Sequence, residues 1–345
     1  MQTSKKIFRS VMVTLLTFIL ISVAVIEPYL RSETGFFQDG NLRKSLAGKI
    51  DTIAIGASHA QLGINTALMD EKLQCFGYNL SGQMMTLSNR YHMLQKELER
   101  NPVDTVILEL SFDTLTRNEK EEFAMGDDHT VVRMDSSGER ISYMLRYMPV
   151  DDWLNLYSRT FVMGMVRYYN ILKGDTASAV NYVQKGFLPK PAKDVSLVPS
   201  QVAAVRSNTR IDTDYRQENI EKFTAIINLC KEYDAQVIVV VVPLSHAKIW
   251  QYDGWDDFYN WARAYCREQQ CDFYDFNLLT DRYDLLQDAT SFEDEEHLSE
   301  TGAYAFTESM CGILNRAEAG EDVASFFYDS YEEMKEDSLY MQYLS

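Results

Sequence analysis

Residues 235–242 read Ala-Gln-Val-Ile-Val-Val-Val-Val. β-Branched side chains stiffen the chain and favour extended backbone. The run is far too short to cross a bilayer. It shows no polar alternation, so both of its faces need cover. That pattern belongs to a central strand of a parallel sheet. The flanks agree. Gln217 to Tyr233 is helical in period, with Ile220, Phe223, Ile226, Ile227 and Cys230 on one face, and Trp255 to Gln269 forms another helix. Four further short runs read as strands: Lys49–Gly56, Cys75–Leu80, Val103–Leu110 and Cys271–Phe276. Helical stretches at Ile64–Leu73, Met84–Arg100 and Glu300–Arg316 alternate with them. The expectation is an α/β fold in three layers, a five-stranded parallel sheet with helices on both faces. In such folds reactive groups gather beyond the carboxyl ends of the strands.

The rhythm breaks between residues 113 and 213. This stretch is rich in Tyr, Met and Arg, then turns Pro- and Lys-containing. A connection of that length is either a functional insertion or a peripheral, mainly helical subdomain. Its aromatic, amphipathic character would also let it rest on a membrane surface. At the N-terminus, Lys5, Lys6 and Arg9 accompany an apolar run that reaches Ile26, 20 residues counted from Ile7. That length suits a transmembrane anchor better than a signal peptide cleaved near Ser22-Val23-Ala24. The basic flank would stay inside, leaving the remainder outside the cytoplasm. The expected organisation is a basic tip and anchor at 1–30, a linker at 31–48, the α/β domain at 49–317 with insertion 113–213, and an acidic tail at 318–345. The tail holds eight acids against Lys335 and reads as a solvated extension, partly docked through its aromatics.

Composition narrows the partners. With 46% hydrophobic residues, 21 tyrosines and 17 phenylalanines, the chain can build a substantial core. A net charge of −18 repels phosphate backbones, so no nucleic-acid partner is expected. Five cysteines without a Cys-x-x-Cys pair argue against zinc and read as buried thiols, although Cys266 and Cys271 are close enough in sequence for a local bridge. Asp127-Asp128-His129 reads as a solvated loop rather than a metal site. His92 reads as structural, and Lys185, Lys190 and Lys193 as loop lysines that could meet an anionic glycan.

The chemistry rests on two short stretches. The first strand ends on Gly56-Ala57-Ser58-His59. A serine there can be a helix cap. The second stretch, Phe292-Glu-Asp-Glu-Glu-His-Leu298, puts Asp294 three residues before His297, just ahead of the last helix. On a tight turn that carboxylate reaches the imidazole Nδ1–H, which leaves Nε2 to accept a serine proton. Ser58, His297 and Asp294 are therefore candidates for nucleophile, base and orienting acid. His59 and His246, both on the reactive edge, are candidate substrate contacts; His59 reads equally as a turn residue, and His246 reads first as a loop histidine.

These blocks resemble the SGNH (GDSL-like) hydrolases, in particular the membrane-anchored branch that includes the teichoic acid D-alanine transfer protein and the alginate O-acetylation proteins. The resemblance covers roughly residues 49–113 and 217–316. Gly56-Ala57-Ser58-His59 matches the first block, with Ala57 where the commoner motif has Asp. Asn79-Leu-Ser-Gly82-Gln matches the second, which implies Gly82 as an oxyanion amide donor beside Ser58. Asp294 and His297 match the last. The third block departs: Glu109-Leu-Ser-Phe-Asp-Thr114 lacks the usual Asn, and Asn79 or Ser111 would have to substitute. The resemblance implies a flavodoxin-like sheet, an acyl-serine intermediate and no cofactor or metal. It further implies an extracytoplasmic O-acyltransferase acting on a cell-surface glycan or exopolysaccharide, supplied by a membrane-bound O-acyltransferase partner. A carbohydrate esterase and a catalytically inactive envelope scaffold are the alternatives.

Overall fold

The computed structural model describes residues 2–21, 35–118, 126, 130–131, 133–134, 137–148, 152–153, 173, 185–196 and 210–337. Along the chain run α1 (Gln2–Ile21), α2 (Gly35–Ser45), β1 (Thr52–Ile55), α3 (Ser58–Gly63), α4 (Thr66–Leu73), β2 (Gly77–Asn79), α5 (Leu87–Arg100) and β3 (Thr105–Glu109). Then follow α6 (Ser137–Tyr147), α7 (Gln217–Glu232), β4 (Gln236–Val241), α8 (His246–Gln251), α9 (Trp255–Glu268), β5 (Asp272–Asp275), α10 (Arg282–Leu285), α11 (Glu300–Glu318) and α12 (Tyr331–Glu336). The elements fall into two compact units, Met1–Ser45 with Val131–Tyr182, and Leu46–Thr130 with Val183–Ser345.

The first unit holds α1, α2 and α6. Ile7, Phe8, Val11, Leu15, Leu16 and Leu20 of α1 are all exposed. Among the described residues, however, no helix is long and apolar enough to cross a membrane. The helix includes Lys5, Lys6 and Arg9 and is described only to Ile21. The end of the expected span, 22–26, lies outside the described residues. The expected linker at 31–48 instead contains α2. Its buried Asp39 accepts from Arg43 Nε at 3.2 Å and Arg133 Nε at 2.8 Å, a pairing that gives this polar helix a fixed seat.

The second unit is built on a five-stranded, all-parallel sheet in the order β2-β1-β3-β4-β5. Each of the five expected strands is present, trimmed by one or more residues at its ends. Ala54, Ile107 and Ile238 stand side by side in register. They join Val240 in a core with Ala60, Phe306 and Met310, so this face is covered by α3, α4 and α11. The alternate residues Ile53, Val106, Val237 and Val239 are equally buried. They face the other way, as the two-residue period of a strand requires. On that side α5 packs against α7, and α7 meets α9 through Thr224 and Tyr265, whose hydroxyls lie 2.7 Å apart.

Strand order reverses at β1, which has β2 on one side and β3 on the other. Beyond the carboxyl ends at such a switch point the connections leave to opposite faces and open a crevice. Ser58 begins α3 directly after β1, and Glu109 ends β3 beside it.

Two segments pack more closely than the sequence suggests. The tail docks: Tyr331 and Met334 of α12 are buried, the Tyr331 hydroxyl donates to Asp275 at 2.8 Å, and the Tyr331 and Glu332 amides donate to Asp256. The final part of the expected insertion, 185–196, lies against the second unit as a strap. Lys185 accepts from the Asn79 amide, Leu188 donates to Gln61, Lys190 accepts from Glu300, Lys193 donates to Phe292 and Val195 donates to Asp288. Phe187 is fully buried beneath it. Residues 127–129, with the Asp-Asp-His stretch, lie outside the described residues.

Candidate active site

The turn after β1 requires Gly56. A Cβ there would lie 2.4 Å from Glu109 Oε2 and 2.5 Å from Glu109 Cβ. The Glu109 side chain passes this close because its Oε2 accepts the Ala57 amide at 2.8 Å. The turn is thus fixed from β3, and Ser58 follows as the first residue of α3. His297 arrives from the other half of the chain. Phe292 and Leu298 form an isolated bridge, and the Glu293 amide donates to the His297 carbonyl at 2.8 Å, closing a tight loop. Inside that loop Asp294 Oδ1 accepts the amides of Glu296 and His297, each at 2.9 Å.

These two loops bring together Ser58, His297 and Asp294. His297 Nε2 lies 2.8 Å from Ser58 Oγ. Its Nδ1 lies 2.8 and 2.9 Å from the two Asp294 oxygens. Burial alone would push the Asp294 carboxyl up; the hydrogen bonds from the His297 ring and the Glu296 and His297 amides outweigh it and hold the pKa below its ordinary value. An ionised Asp294 keeps the proton on Nδ1, which leaves Nε2 as the acceptor facing Ser58.

The remaining expected residues fare differently. Asn79 is fully buried and committed: its Nδ2 donates to the carbonyls of Ala60 at 2.8 Å and Ile64 at 3.0 Å, and its Oδ1 accepts the Ser81 amide. It ties down the end of α3 and offers no oxyanion donor. Ser111 is turned to Thr114: its amide donates to Thr114 Oγ1 at 3.1 Å, and the two hydroxyls lie 2.7 Å apart. The Gly82 amide points back to the Gly56 carbonyl over a long 3.4 Å. His246 is buried, between the Leu286 carbonyl and the Arg282 guanidinium. Burial, then repulsion from Arg282, lowers its pKa well below the ordinary histidine value, so it is a neutral core residue and no substrate contact. Lys185 pairs with Asp70, and Lys193 lies 3.4 Å from Glu293. His92 is buried in α5, and all five cysteines are free thiols.

His59, too, is buried rather than exposed to substrate. Its ring lies 5.0 Å from that of His297, with Nδ1 3.6 Å from Glu109 and Nε2 3.8 Å from Glu296. Burial opposes its charge, but the two carboxylates, with Asp113 beyond, push its pKa up to about 10. Glu109 is the complement. Burial works against its charge as well, yet Arg90, His59 and the Ala57 amide hold it down at about 2. Sequence reasoning missed Glu109, Glu296, Arg90 and Lys248. Glu109 had one signal, a lone charge at the end of an otherwise apolar strand.

Two recesses lie at this edge of the sheet. A cavity of about 30 Å³ is lined by Ala57, Met85, Ser111 and Asp113 among others. An open groove of about 600 Å³ runs past His297, lined by Lys193, Asp194, Val195 and the 293–297 loop.

Fold and geometry together define a serine–histidine–aspartate site at the switch point of a parallel α/β sheet. The chain matches no protein-family profile and no curated protein. Among solved structures it is similar to a Streptococcus pneumonia protein provisionally described as a platelet activating factor, with 13% identity over 85% of this chain and 98% of that one and a TM-score of 0.40.

Proposed function

We propose that the protein is a serine acyl enzyme of SGNH type that moves a short acyl group through an ester on Ser58. The observation that carries this reading is the unbroken line Ser58 Oγ–His297 Nε2, His297 Nδ1–Asp294, with contacts of 2.8 to 2.9 Å between residues from opposite ends of the domain.

In the first half-reaction His297 Nε2 takes the Ser58 proton as Oγ bonds to the carbonyl carbon of an ester or thioester. The tetrahedral oxyanion forms beside the first-turn amides of α3, where the Ser58 N–H supplies one donor. The Gly82 amide would join by giving up its long bond to Gly56. An oxyanion donor of this kind is worth about 10²–10³ in rate. His297 then returns the proton to the departing alcohol or thiol, and Ser58 carries the acyl group. In the second half His297 deprotonates a hydroxyl, which attacks the acyl carbon and releases Ser58. Asp294 holds the imidazole orientation and offsets its charge in both halves.

The recesses suit this division. A space of about 30 Å³ exceeds the ~10–15 Å³ that one water needs and fits a two-carbon tail better than a long chain. The groove past His297 is wide enough for a sugar or polyol hydroxyl to reach the base. We therefore favour O-acyl transfer to a cell-surface glycan or exopolysaccharide, from the outer face of the cell membrane. Lys5, Lys6 and Arg9 ahead of the apolar run through Ile26 support a membrane-linked position, near a membrane-bound O-acyltransferase that would deliver the acyl donor. The openness of the same groove to water favours a second reading, the carbohydrate esterase.

The test is labelling with a serine-directed phosphonate and mapping of the modified peptide. The adduct is expected on Ser58 and lost in His297→Ala. Protein that stays unmodified under these conditions would overturn the acyl-enzyme reading. Acetyl esters incubated with and without an oligosaccharide then separate transfer from hydrolysis by whether the label appears on sugar or as free acid.

A further inference from the structure

A row of buried and half-buried charges lies beside Ser58 and His297, and it alternates in sign. Arg90 on α5 donates Nη1–H to the Glu109 carbonyl at 2.7 Å, with Nη2 3.3 Å from Glu109 Oε2. Glu109 faces His59 Nδ1 at 3.6 Å, and His59 Nε2 faces Glu296 at 3.8 Å. Glu296 Oε1 in turn lies 2.6 Å from Lys248 Nζ on α8. The series begins on one helix layer, passes through the end of β3, the start of α3 and the loop that carries His297, and ends on α8. Each carboxylate in it serves one half of the triad. Glu109 fixes the nucleophile turn through the Ala57 amide, and Glu296 is the residue before the base.

We propose that His59, by bridging Glu109 to Glu296, is the positioning residue that docks the His297 loop onto the nucleophile turn. The inference rests on the acyl-enzyme reading of the same site. His59 touches no substrate in this role. The backbone of Ser58 and His59 is continuous, so an ion pair from His59 to Glu296 places the neighbour of Glu296 opposite the neighbour of His59. Those neighbours are His297 and Ser58. Glu109, Glu296, Asp113 and the His297 ring are the ionisable groups that face His59, and the three carboxylates keep it a cation. Arg90 and Lys248 complete the two ends, so neither carboxylate is left uncompensated in a buried setting, where an unpaired charge is strongly unfavourable.

The test compares phosphonate labelling of Ser58 across pH in the full chain, wild type against His59→Gln, Glu296→Gln and the double variant. A misplaced base lowers reactivity by up to about 10²-fold, so His59→Gln is expected to lose about 10- to 10²-fold in labelling rate. It should also move the acid limb of the profile to higher pH, because the His297 imidazole then stands beside two carboxylates without the intervening cation. Adding Glu296→Gln removes one of those carboxylates and should bring the limb back toward its wild-type position. A role confined to fold stability would leave the profile in place, so a rate loss with an unmoved acid limb overturns the proposal. So does a wild-type rate in His59→Gln. Should His59→Gln not fold, Glu296→Gln carries the test, since Glu296 is partly exposed, and an unchanged rate and profile there overturn it equally. An absence of Ser58 adduct in the wild type is a different result, which removes the acyl-enzyme reading itself.

Discussion

Replacing Asp294 by Asn isolates the electrostatic part of the site. Asp294 Oδ1 accepts two backbone amides, from Glu296 and His297, each at 2.9 Å. An Asn must therefore keep its carbonyl oxygen at that position and turn its NH₂ to where Oδ2 stood. The oxygen retained lies 2.8 Å from His297 Nδ1, so the imidazole keeps one acceptor, while the new NH₂ stands 2.9 Å from the same nitrogen and opposes its proton. What disappears is the negative charge that offsets the imidazolium formed when Ser58 attacks. At about 4 Å a charge pair is worth about 1 kcal/mol in water and about 4 kcal/mol near a protein surface. The Asp294 side chain is half exposed, at 51%, so its contribution falls between those limits. Each ~1.4 kcal/mol is about tenfold in rate. The expected loss is thus roughly 10- to 10³-fold, short of the ~10⁴-fold found where the triad carboxylate is buried. The assay is the second-order rate of phosphonate labelling at Ser58, with hydrolysis of an acetyl ester as the turnover counterpart. KM should hold while the rate falls. A variant within about threefold of wild type would remove Asp294 from the mechanism, and a loss as complete as that of Ser58→Ala would mean that orientation, not charge, is its main role.

Three further perturbations test the surrounding structure. Gly56→Ala drives a methyl into Glu109, with contacts of 2.4 and 2.5 Å, and overpacking of this kind is expected to lower the denaturant midpoint by the equivalent of about 1–3 kcal/mol or more. Asn79→Ala should destabilise by about 1–3 kcal/mol through the stranded Ala60 and Ile64 carbonyls, while folded protein labels Ser58 near the wild-type rate; a selective rate loss at unchanged stability would restore Asn79 as a catalytic donor. Asp275→Asn tests linkage: burial, against hydrogen bonds from Asn277 and Tyr331, raises the Asp275 pKa from 3.8 to about 6, so its contribution to stability is complete below 3.8 and lost as pH rises through 6. The Asn variant should lack that decline and gain on wild type between pH 4 and 7, by at most about 3 kcal/mol; urea midpoints whose difference stays flat across this range would refute the shift.

Particular residues explain what could be read in the chain. β4 was legible because six successive β-branched residues leave few alternatives, and its helical flanks have clean periods. Ser58, Asp294 and His297 were legible because a strand end and a tight Asp-x-x-His loop constrain side-chain direction locally. Asn79 and His246 stood only as possible site residues, and the structure buries both for one shared reason. Asn79 ends β2 and His246 follows β4, both at the reactive edge, but tertiary packing turns Asn79 onto the end of α3 and His246 onto Arg282. The helix α8 escaped notice because six residues hold too little of a period, although Ser245 caps it by accepting the Lys248 amide at 3.0 Å. The pairing of His59 with Glu296 joins residues far apart in the chain, and no local pattern encodes it.

The strap at 185–196 touches the end of β2, the body of α3, the loop bearing the base and the first turn of α11, all through its own backbone. Main-chain contacts tolerate side-chain drift, so this ribbon can change most of its residues and still lace the parts together. Two positions are exceptions: Phe187 is fully buried in the core, and a Cβ at Gly186 would lie 1.8 Å from the Asn79 carbonyl. Anyone trimming the long excursion between β3 and α7 would therefore have to spare residues 185–196, or unstitch the edge that holds Ser58 and His297 while leaving both side chains in the sequence.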